Sequence, residues 1–453
     1  MREMKDSGIT FVGNIPDNWK VLKNKRCFEL EKDIVGPKFK EYQLLSLTKR
    51  GVILKDINNT YGKTPESYET YQSVKKGQLI MCLFDLDISA VFSGITDYNG
   101  MISPAYKIYN CKNNIYNRYA GYWFDFCFDG RKYMSFSKSL RYVVNTDDFK
   151  DIEIIVPPLE QQYKIVQFLD KKITEIDNVI EKTKQTIEDY KIYKQSIITK
   201  AVTKGLDKNV EMKNSGIEWI DKIPRSWKIT KLKNLCAIFG RMGFRGYTQA
   251  DIVEEGQGAI TLSPSNFNNM KMNYDKCQYI SWDKYFESPE IQIKDGDILF
   301  VKTGSTYGKS CLVEKLPEKA TINPQSIVIK EKNIPNKYLI YYLNSIYTKF
   351  QVDTSVVGGT IPTIAQEKIS NYKVILPTER EIKLISEFLD KKCEEIDILI
   401  ENKEKLIEEL EKYKKSLIYE YVTGKKEVGE KKFNYTDKIN AIKINCKDNI
   451  FAQ

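Results

Sequence analysis

The chain has 453 residues, 42% of them hydrophobic, which is enough for two or three ordinary globular cores. Lys and Arg number 71 against 61 Asp and Glu, a formal charge of +10 that suits a polyanionic partner without requiring one. There is no histidine, which excludes a Ser-His-Asp or Cys-His catalytic site, a His-ligated metal and an imidazole general base. The nine cysteines (Cys27, Cys82, Cys111, Cys127, Cys236, Cys277, Cys311, Cys393, Cys446) are odd in number and form no C-x-x-C pair. That pattern points to a reduced, intracellular chain rather than a disulfide frame or a zinc site. With no apolar h-region at the start and no apolar run of about 18 residues, a cytoplasmic protein without membrane contact is expected.

In chain order, the first informative feature is a frame that returns. Ser7-Gly8-Ile9, Phe11, Ile15-Pro16 and Trp19-Lys20 reappear 208 residues later as Ser215-Gly216-Ile217, Trp219, Ile223-Pro224 and Trp227-Lys228. Further on, Ile165, Phe168-Leu169-Asp170-Lys171-Lys172, Glu175-Ile176-Asp177 and Val202-Thr203 reappear at Ile385, Phe388-Leu389-Asp390-Lys391-Lys392, Glu395-Ile396-Asp397 and Val422-Thr423, a displacement of 220. The rise from 208 to 220 puts 12 extra residues in the second copy; Gly77 and Gly296, 219 apart, place nearly all of them between Trp227 and Gly296. So long a period means a duplicated domain pair and not a solenoid. Within each copy, Gly77–Phe84 and Gly296–Val301 read as buried strands, Asp151–Val156 and Tyr372–Leu376 as last strands stopped by Pro157 and Pro377, and Lys337–Phe350 as a helix. Each copy is therefore expected to be a mixed α+β globule, with Tyr106, Tyr122, Trp123, Phe124 and Phe126 in the core of the first.

Beyond each globule runs a heptad-like stretch. Ile165, Leu169, Ile173, Ile176, Ile180, Thr183, Ile187, Tyr190, Lys194, Ile197 and Ala201 step by three and four. The second copy gives Ile385, Leu389, Cys393, Ile396, Ile400, Lys403, Ile407, Leu410, Lys414, Leu417 and Tyr421, and both copies break apolarity at the same two places. A 3.5-residue period over about five heptads is a coiled-coil seam. Glu401/Lys405, Glu408/Lys412 and Glu411/Lys415 add support at i,i+4, and Gly205 and Gly424 stop the helices. Neither seam is buried alone. The simplest arrangement is an antiparallel pair of helices within one chain, with about 47 residues at ~1.5 Å rise making a strut of roughly 70 Å between two related globules about an approximate two-fold. An intermolecular coiled coil in a dimer is the alternative.

Two globules held apart suit double-stranded DNA bearing two separated targets. Candidate contacts lie in basic, Gly- and Ser-rich loops: Lys49 and Arg50, and Lys138, Ser139 and Arg141, in the first copy; Gly240, Arg241, Arg245 and Tyr247, and Gly358, Gly359 and Thr360, in the second. Glycine permits close backbone approach, hydroxyls bond phosphate, and Arg reads guanine through a bidentate pair. Gly304–Lys309 lacks P-loop spacing, and no dinucleotide-binding, amino-methyltransferase or nuclease signature is present. The chain reads as a recognition scaffold without chemistry of its own; a coiled-coil adaptor that binds protein is the rival.

The Ser-Gly-Ile…Ile-Pro…Trp-Lys opening, Pro-Pro-Leu-Glu-Gln-Gln at Pro157–Gln162, the Phe-Leu-Asp-Lys-Lys…Glu-Ile-Asp helix and Gly240–Tyr247 resemble type I restriction-modification specificity (S) subunits, twice over, across about residues 1–424. The second copy departs at Pro377-Thr378-Glu379-Arg380, which lacks the second proline and the Gln pair. The resemblance implies an α+β fold of two target-recognition domains separated by an antiparallel two-helix coiled coil with pseudo-two-fold symmetry. The segments would be 1–156 and 211–376 for the recognition domains, 157–210 and 377–424 for the conserved helices, and 425–453 for a tail. It further implies a non-catalytic reader of a bipartite DNA site. Ile173, Ile176, Ile180, Ile187, Tyr190, Ile197, Ile396, Ile400, Ile407, Leu410 and Leu417 would form the coiled coil on which other subunits dock. Two methyltransferase (M) and two restriction/translocase (R) subunits would carry S-adenosylmethionine, ATP and Mg, with no cofactor or metal on this chain.

Overall fold

A computed structural model describes residues 2–56, 67–138, 142–359 and 361–429. Ser139, Arg141 and Thr360 among the expected contact residues, and the tail beyond 429, lie outside the described residues. The chain forms two compact units: the residues up to Lys182 together with those from Lys405 onward, and Thr183–Glu404. The division falls inside the two long helices, Leu159–Lys204 and Glu379–Val422, so each unit holds one globule and half of each helix.

The two globules share a framework down to the residue. In the first unit Lys20–Lys23 pairs antiparallel with Glu153–Val156, Lys20 opposite Val156; in the second Lys228–Lys231 pairs with Lys373–Leu376, Lys228 opposite Leu376. Beside it the first unit has a four-stranded antiparallel sheet in the order Phe28–Glu31, Lys107–Cys111, Leu79–Met81, Ser93–Ile95. The second repeats it as Cys236–Gly240, Ser326–Glu331, Ile298–Val301, Ser310–Leu312 and extends it with Lys271–Met272 and Phe267–Asn268 to six strands. Registers match too: Phe28 faces Cys111 and Leu79 faces Tyr109, while their equivalents Cys236 and Ile298 face Glu331 and Ile329. Ile298–Val301 is buried along its whole length, as an apolar run with both faces covered must be.

The interiors differ where the sequence inserts. Between Trp227 and Gly296 the second unit builds most of a five-stranded sheet, in the order Ile252–Val253, Gln278–Ser281, Gly258–Leu262, Ala320–Ile322, Gln292–Ile293, over its own core of Ile260, Leu262, Ile291 and Ile322. Among the described residues, the first unit has a hairpin, Leu45–Thr48 with Gly51–Leu54, and a strand pair, Gln72–Val74 with Gly100–Ile102. The expected strands all come out shorter, Gly296–Val301 as Ile298–Val301, Asp151–Val156 as Glu153–Val156 and Tyr372–Leu376 as Lys373–Leu376. The strand expected over 77–84 is Leu79–Met81, because Gly77 takes a left-handed turn (φ 90°) before it. The helix expected over 337–350 is two helices, Asn336–Leu343 and Ile346–Asp353, since Ser345 caps the second by accepting from the Thr348 N–H. Trp123 and Phe124 are fully buried and Phe126 nearly so, while Tyr106 and Tyr122 are half-buried.

The repeated frame residues turn out to close each unit on a helix end. Gly424 (φ 72°) follows the second long helix, and a Cβ there would meet Pro16 and Trp19 of the first repeat. Gly205 (φ 75°) follows the first long helix, and a Cβ there would come within 3.2 Å of the Trp227 ring of the second repeat. A left-handed glycine is what a helix stop beneath a buried indole demands. Tyr119 hydroxyl lies 3.1 Å from Ile155 O and 3.0 Å from Val422 O, and Tyr338 repeats the bridge to Ile375 O and Val202 O at 3.4 Å each. The Asp of Phe-Leu-Asp-Lys-Lys has a matching duty: Tyr122 donates to Asp170 and Tyr341 to Asp390, both at 2.6 Å.

Candidate nucleic-acid interface

Each unit contains an antiparallel stretch of the helix seam. In the first, Ile176, Ile180, Leu410 and Leu417 are buried and Ile173 and Ile407 pack against them. In the second, Ile187 and Ile396 are buried, Tyr190, Ile197 and Ile400 half-buried, and the ring of Tyr190 lies 6.0 Å from Lys403 Nζ. Ile198 and Val202 are buried more deeply than Ile197, because the end of the helix also packs against the globule of its unit.

One of the two polar breaks in the seam, Lys194 and its repeat equivalent Lys414, is answered by acids. Lys194 Nζ sits 2.7 Å from both Asp397 carboxylate oxygens, and Lys414 Nζ sits 2.7 and 2.8 Å from those of Asp177. Carried 220 positions along the repeat, Asp177 becomes Asp397 and Lys194 becomes Lys414, so the pairs are one contact made once in each unit. A polar residue at a seam position fixes register, since sliding the helices would strand its charge in an apolar stripe. Lys415, in contrast, reaches Asp129 at 2.8 Å, an ion pair outside its own helix.

The Gln pair missing from the second copy has an internal role in the first. Gln161 Oε1 accepts from Trp19 Nε1 at 2.7 Å and from Arg2 at 3.1 Å. Gln162 is fully buried, accepts from the Tyr116 N–H at 2.7 Å, and donates to Pro157 O and Asn114 O at 2.8 and 3.1 Å. In the second unit the equivalent of Gln162 is Ile382, buried in the core. Glu381 replaces Gln161 and closes a capping box with Thr378, whose hydroxyl donates to it at 2.6 Å. Burial pushes the Glu381 carboxyl up, but Thr378 and the nearby Trp227 indole outweigh it and hold it below the usual range. Trp227 Nε1 makes no hydrogen bond of good distance and angle among the described residues.

The candidate loops of the second unit gather at one end of the six-stranded sheet. Gly240 ends its strand opposite Ile327, and the connection 302–309 leaves Val301, which lies opposite Ser326. Segment 361–366 is tied to both: Gly304 N–H donates to Pro362 O at 2.9 Å, Ile364 N–H to Lys302 O at 2.8 Å, and Gln366 Nε2 to Ile238 O at 3.2 Å. Gly358 (φ 102°) and Gly359 are exposed.

Arg241 departs from what the sequence suggests. It is 6% exposed, and its guanidinium donates to Ile322 O (3.3 Å), Thr321 Oγ1 (3.2 Å) and Arg245 O (3.3 Å), 5.3 Å from the Tyr247 ring. Burial pulls its pKa down, and the charges of Tyr247, Glu287 and Glu290 oppose that. This side chain holds the loop in shape and is not offered at the surface as a base-reading group. Arg245 is half-buried and paired with Glu290 at 3.3 Å, and the Tyr247 hydroxyl lies 3.4 Å from Thr261 Oγ1.

In the first unit the same end of the sheet carries segments 82–92 and 142–144. Leu86 N–H donates to Tyr142 O at 3.3 Å and Val144 N–H to Leu83 O at 2.9 Å. Lys138 is exposed and paired with Asp148 at 2.7 Å. Lys49 and Arg50 form the exposed turn of the hairpin whose Leu47 and Val52 pack on Gly94. Segments 82–92 and 142–144 thus meet as 302–309 and 362–364 do, at corresponding sheet ends, while Lys49 and Arg50 turn a separate hairpin. The connection 302–309, with Lys302 and Lys309, belongs to the same group; its signal in the sequence was a run of Gly, Ser, Thr and Lys between two strands.

Two copies of one framework, with matching strand registers and unlike loops at corresponding sheet ends, define a duplicated α+β recognition protein with a paired-helix seam. The profile of the type I restriction modification DNA specificity domain matches residues 16–189 and again 224–412, and the chain belongs to that family. The type I restriction enzyme MjaVIII specificity subunit of Methanocaldococcus jannaschii is 28% identical over 282 residues, 61% of this chain and 63% of that protein. The match therefore spans less than two thirds of the relative's length. A solved chain from work on complex assembly and conformational transition of the type I R-M system superposes with a TM-score of 0.67 at 14% identity, covering 90% of this chain and 99% of its own. That likeness establishes the fold.

Proposed function

We infer that the chain is the sequence-specific DNA recognition subunit of a type I restriction-modification complex and is itself non-catalytic. Each globule reads one half of a bipartite, asymmetric site, and the bases between the halves go uncontacted. The seam helices serve as the scaffold for two methyltransferase (M) and two restriction/translocase (R) subunits, which bring S-adenosylmethionine, ATP and Mg to a cytoplasmic complex. One observation carries the reading: the family profile matches twice, on two frameworks of identical register whose loops differ. A duplicated frame with unlike loops is what two different half-sites need.

Methylome sequencing of a host carrying the intact system tests it. The expected result is a two-part motif with modified adenines that disappears when this gene alone is deleted. A methylome unchanged by the deletion contradicts the assignment and favours the rival, a protein-binding adaptor.

A further inference from the structure

Several cations that the sequence marks for DNA are already engaged by groups of their own unit. Arg241 is buried, Arg245 is paired with Glu290, and Lys138 with Asp148. Lys302 and Lys309, at the two ends of the connection 302–309, have no ion pair among the described residues, and Lys309 is exposed. Between them lie Gly304 (φ 104°), Ser305, Thr306 and Gly308 (φ 82°). The connection is pinned on several sides: Thr303 N–H donates to Gln325 O at 3.2 Å, Gly304 N–H to Pro362 O at 2.9 Å, and Gly308 N–H to Val301 O at 2.8 Å. A Cβ on Gly308 would collide with Val352 at 2.6 Å, so the glycine seats the loop against its own unit. The N–H and hydroxyl groups of Ser305 and Thr306 donate to nothing else among the described residues. One anchored turn therefore carries two ammonium groups and four donors unengaged among the described residues, the group types that bind phosphate.

The equivalent connection in the first unit has the opposite character. It joins Leu79–Met81 to Ser93–Ile95 and carries Asp85, Asp87 and Ile88, the last 77% exposed. Arg131 donates there to Leu86 O and Ser89 O at 2.9 and 2.7 Å. Carboxylates repel phosphate, so this turn offers no grip on a polyanion.

We propose that the connection Lys302–Lys309 is a phosphate clamp for the DNA backbone, present in the second unit and absent from the first, so that the two halves of the site are held by unequal electrostatic anchors. The proposal rests on the DNA-recognition reading and assigns to this loop affinity without sequence preference, since phosphate contacts position and base contacts specify.

The test is a salt titration of the full chain, with its methyltransferase partner, on a specific and a scrambled duplex, read by fluorescence anisotropy. Lys302→Gln with Lys309→Gln should weaken binding to both duplexes alike, on the order of tenfold, and lower the log K against log salt slope by about 1 to 2. Lys302→Arg with Lys309→Arg should restore both, which separates lost charge from lost folding. Asp85→Asn with Asp87→Asn should leave the slope at the wild-type value. If the wild type binds DNA and the Gln pair keeps its slope, the clamp is wrong while the recognition reading stands; if the wild type binds neither duplex, both fall. Inorganic phosphate or ATP that displaces DNA from the wild type more than from the Gln pair, at equal ionic strength, would instead make the loop a small-anion site and overturn the assignment.

Discussion

The two units differ least where they meet the long helices and most at the far ends of their strands. Leu79 and Ile298 face Tyr109 and Ile329 in the same register, and Tyr119 and Tyr338 bridge the same pair of carbonyls. At the sheet ends, the connection that carries Lys302 and Lys309 in one unit carries Asp85 and Asp87 in the other. The contrast teaches that a buried frame tolerates little change, because each residue is fixed by several partners, whereas a loop on that frame is free to change its charge outright.

The comparison is broken most severely through the tryptophans. Trp19→Ala and Trp227→Ala each remove an indole that is at most 1% exposed and should destabilise their units by about 3–5 kcal/mol. Replacement by Phe separates the two: Trp19 donates to Gln161 and Trp227 has no such bond. Trp19→Phe should then cost about 1 kcal/mol more than Trp227→Phe. Hydrogen exchange read on peptides of each unit measures both, and equal costs would show that the Trp19–Gln161 bond contributes nothing.

A smaller effect sharpens the comparison at the seam. The Lys194 side chain is 12% exposed and the Lys414 side chain 32%. Removing the acid that pairs with each leaves a charge that water reaches unequally. Asp397→Ala should destabilise more than Asp177→Ala, with the pair of values lying between the ~0.2–1 kcal/mol of an exposed pair and the ~3–5 of a buried one. The reverse order would remove burial as the reason.

Much of this was legible in the sequence because it is periodic or repeated. The seam shows in its three-four spacing, and Gly205 and Gly424 announce the helix ends. What escaped depends on partners far along the chain. Arg241 looks like a surface arginine until Thr321 and Ile322, some 80 residues on, fold over it. The motif does not reveal what the Gln pair does: Gln162 bonds Asn114 and Tyr116 inside its own unit, and Ile382 fills the same place apolarly in the other. Strand order was equally invisible, since only pairing across about 80 residues sets Phe28 opposite Cys111. For the connection 302–309 the sequence offers a Gly, Ser, Thr and Lys run without P-loop spacing, and its contact with Pro362 and Ile364 at a sheet end is a tertiary fact.

Exchange of residues 222–376 for the corresponding segment of another family member, followed by sequencing of the methylated sites, tests the division of labour directly. The account predicts a motif with one half altered and the other unchanged. A motif altered in both halves, or in neither, would contradict it.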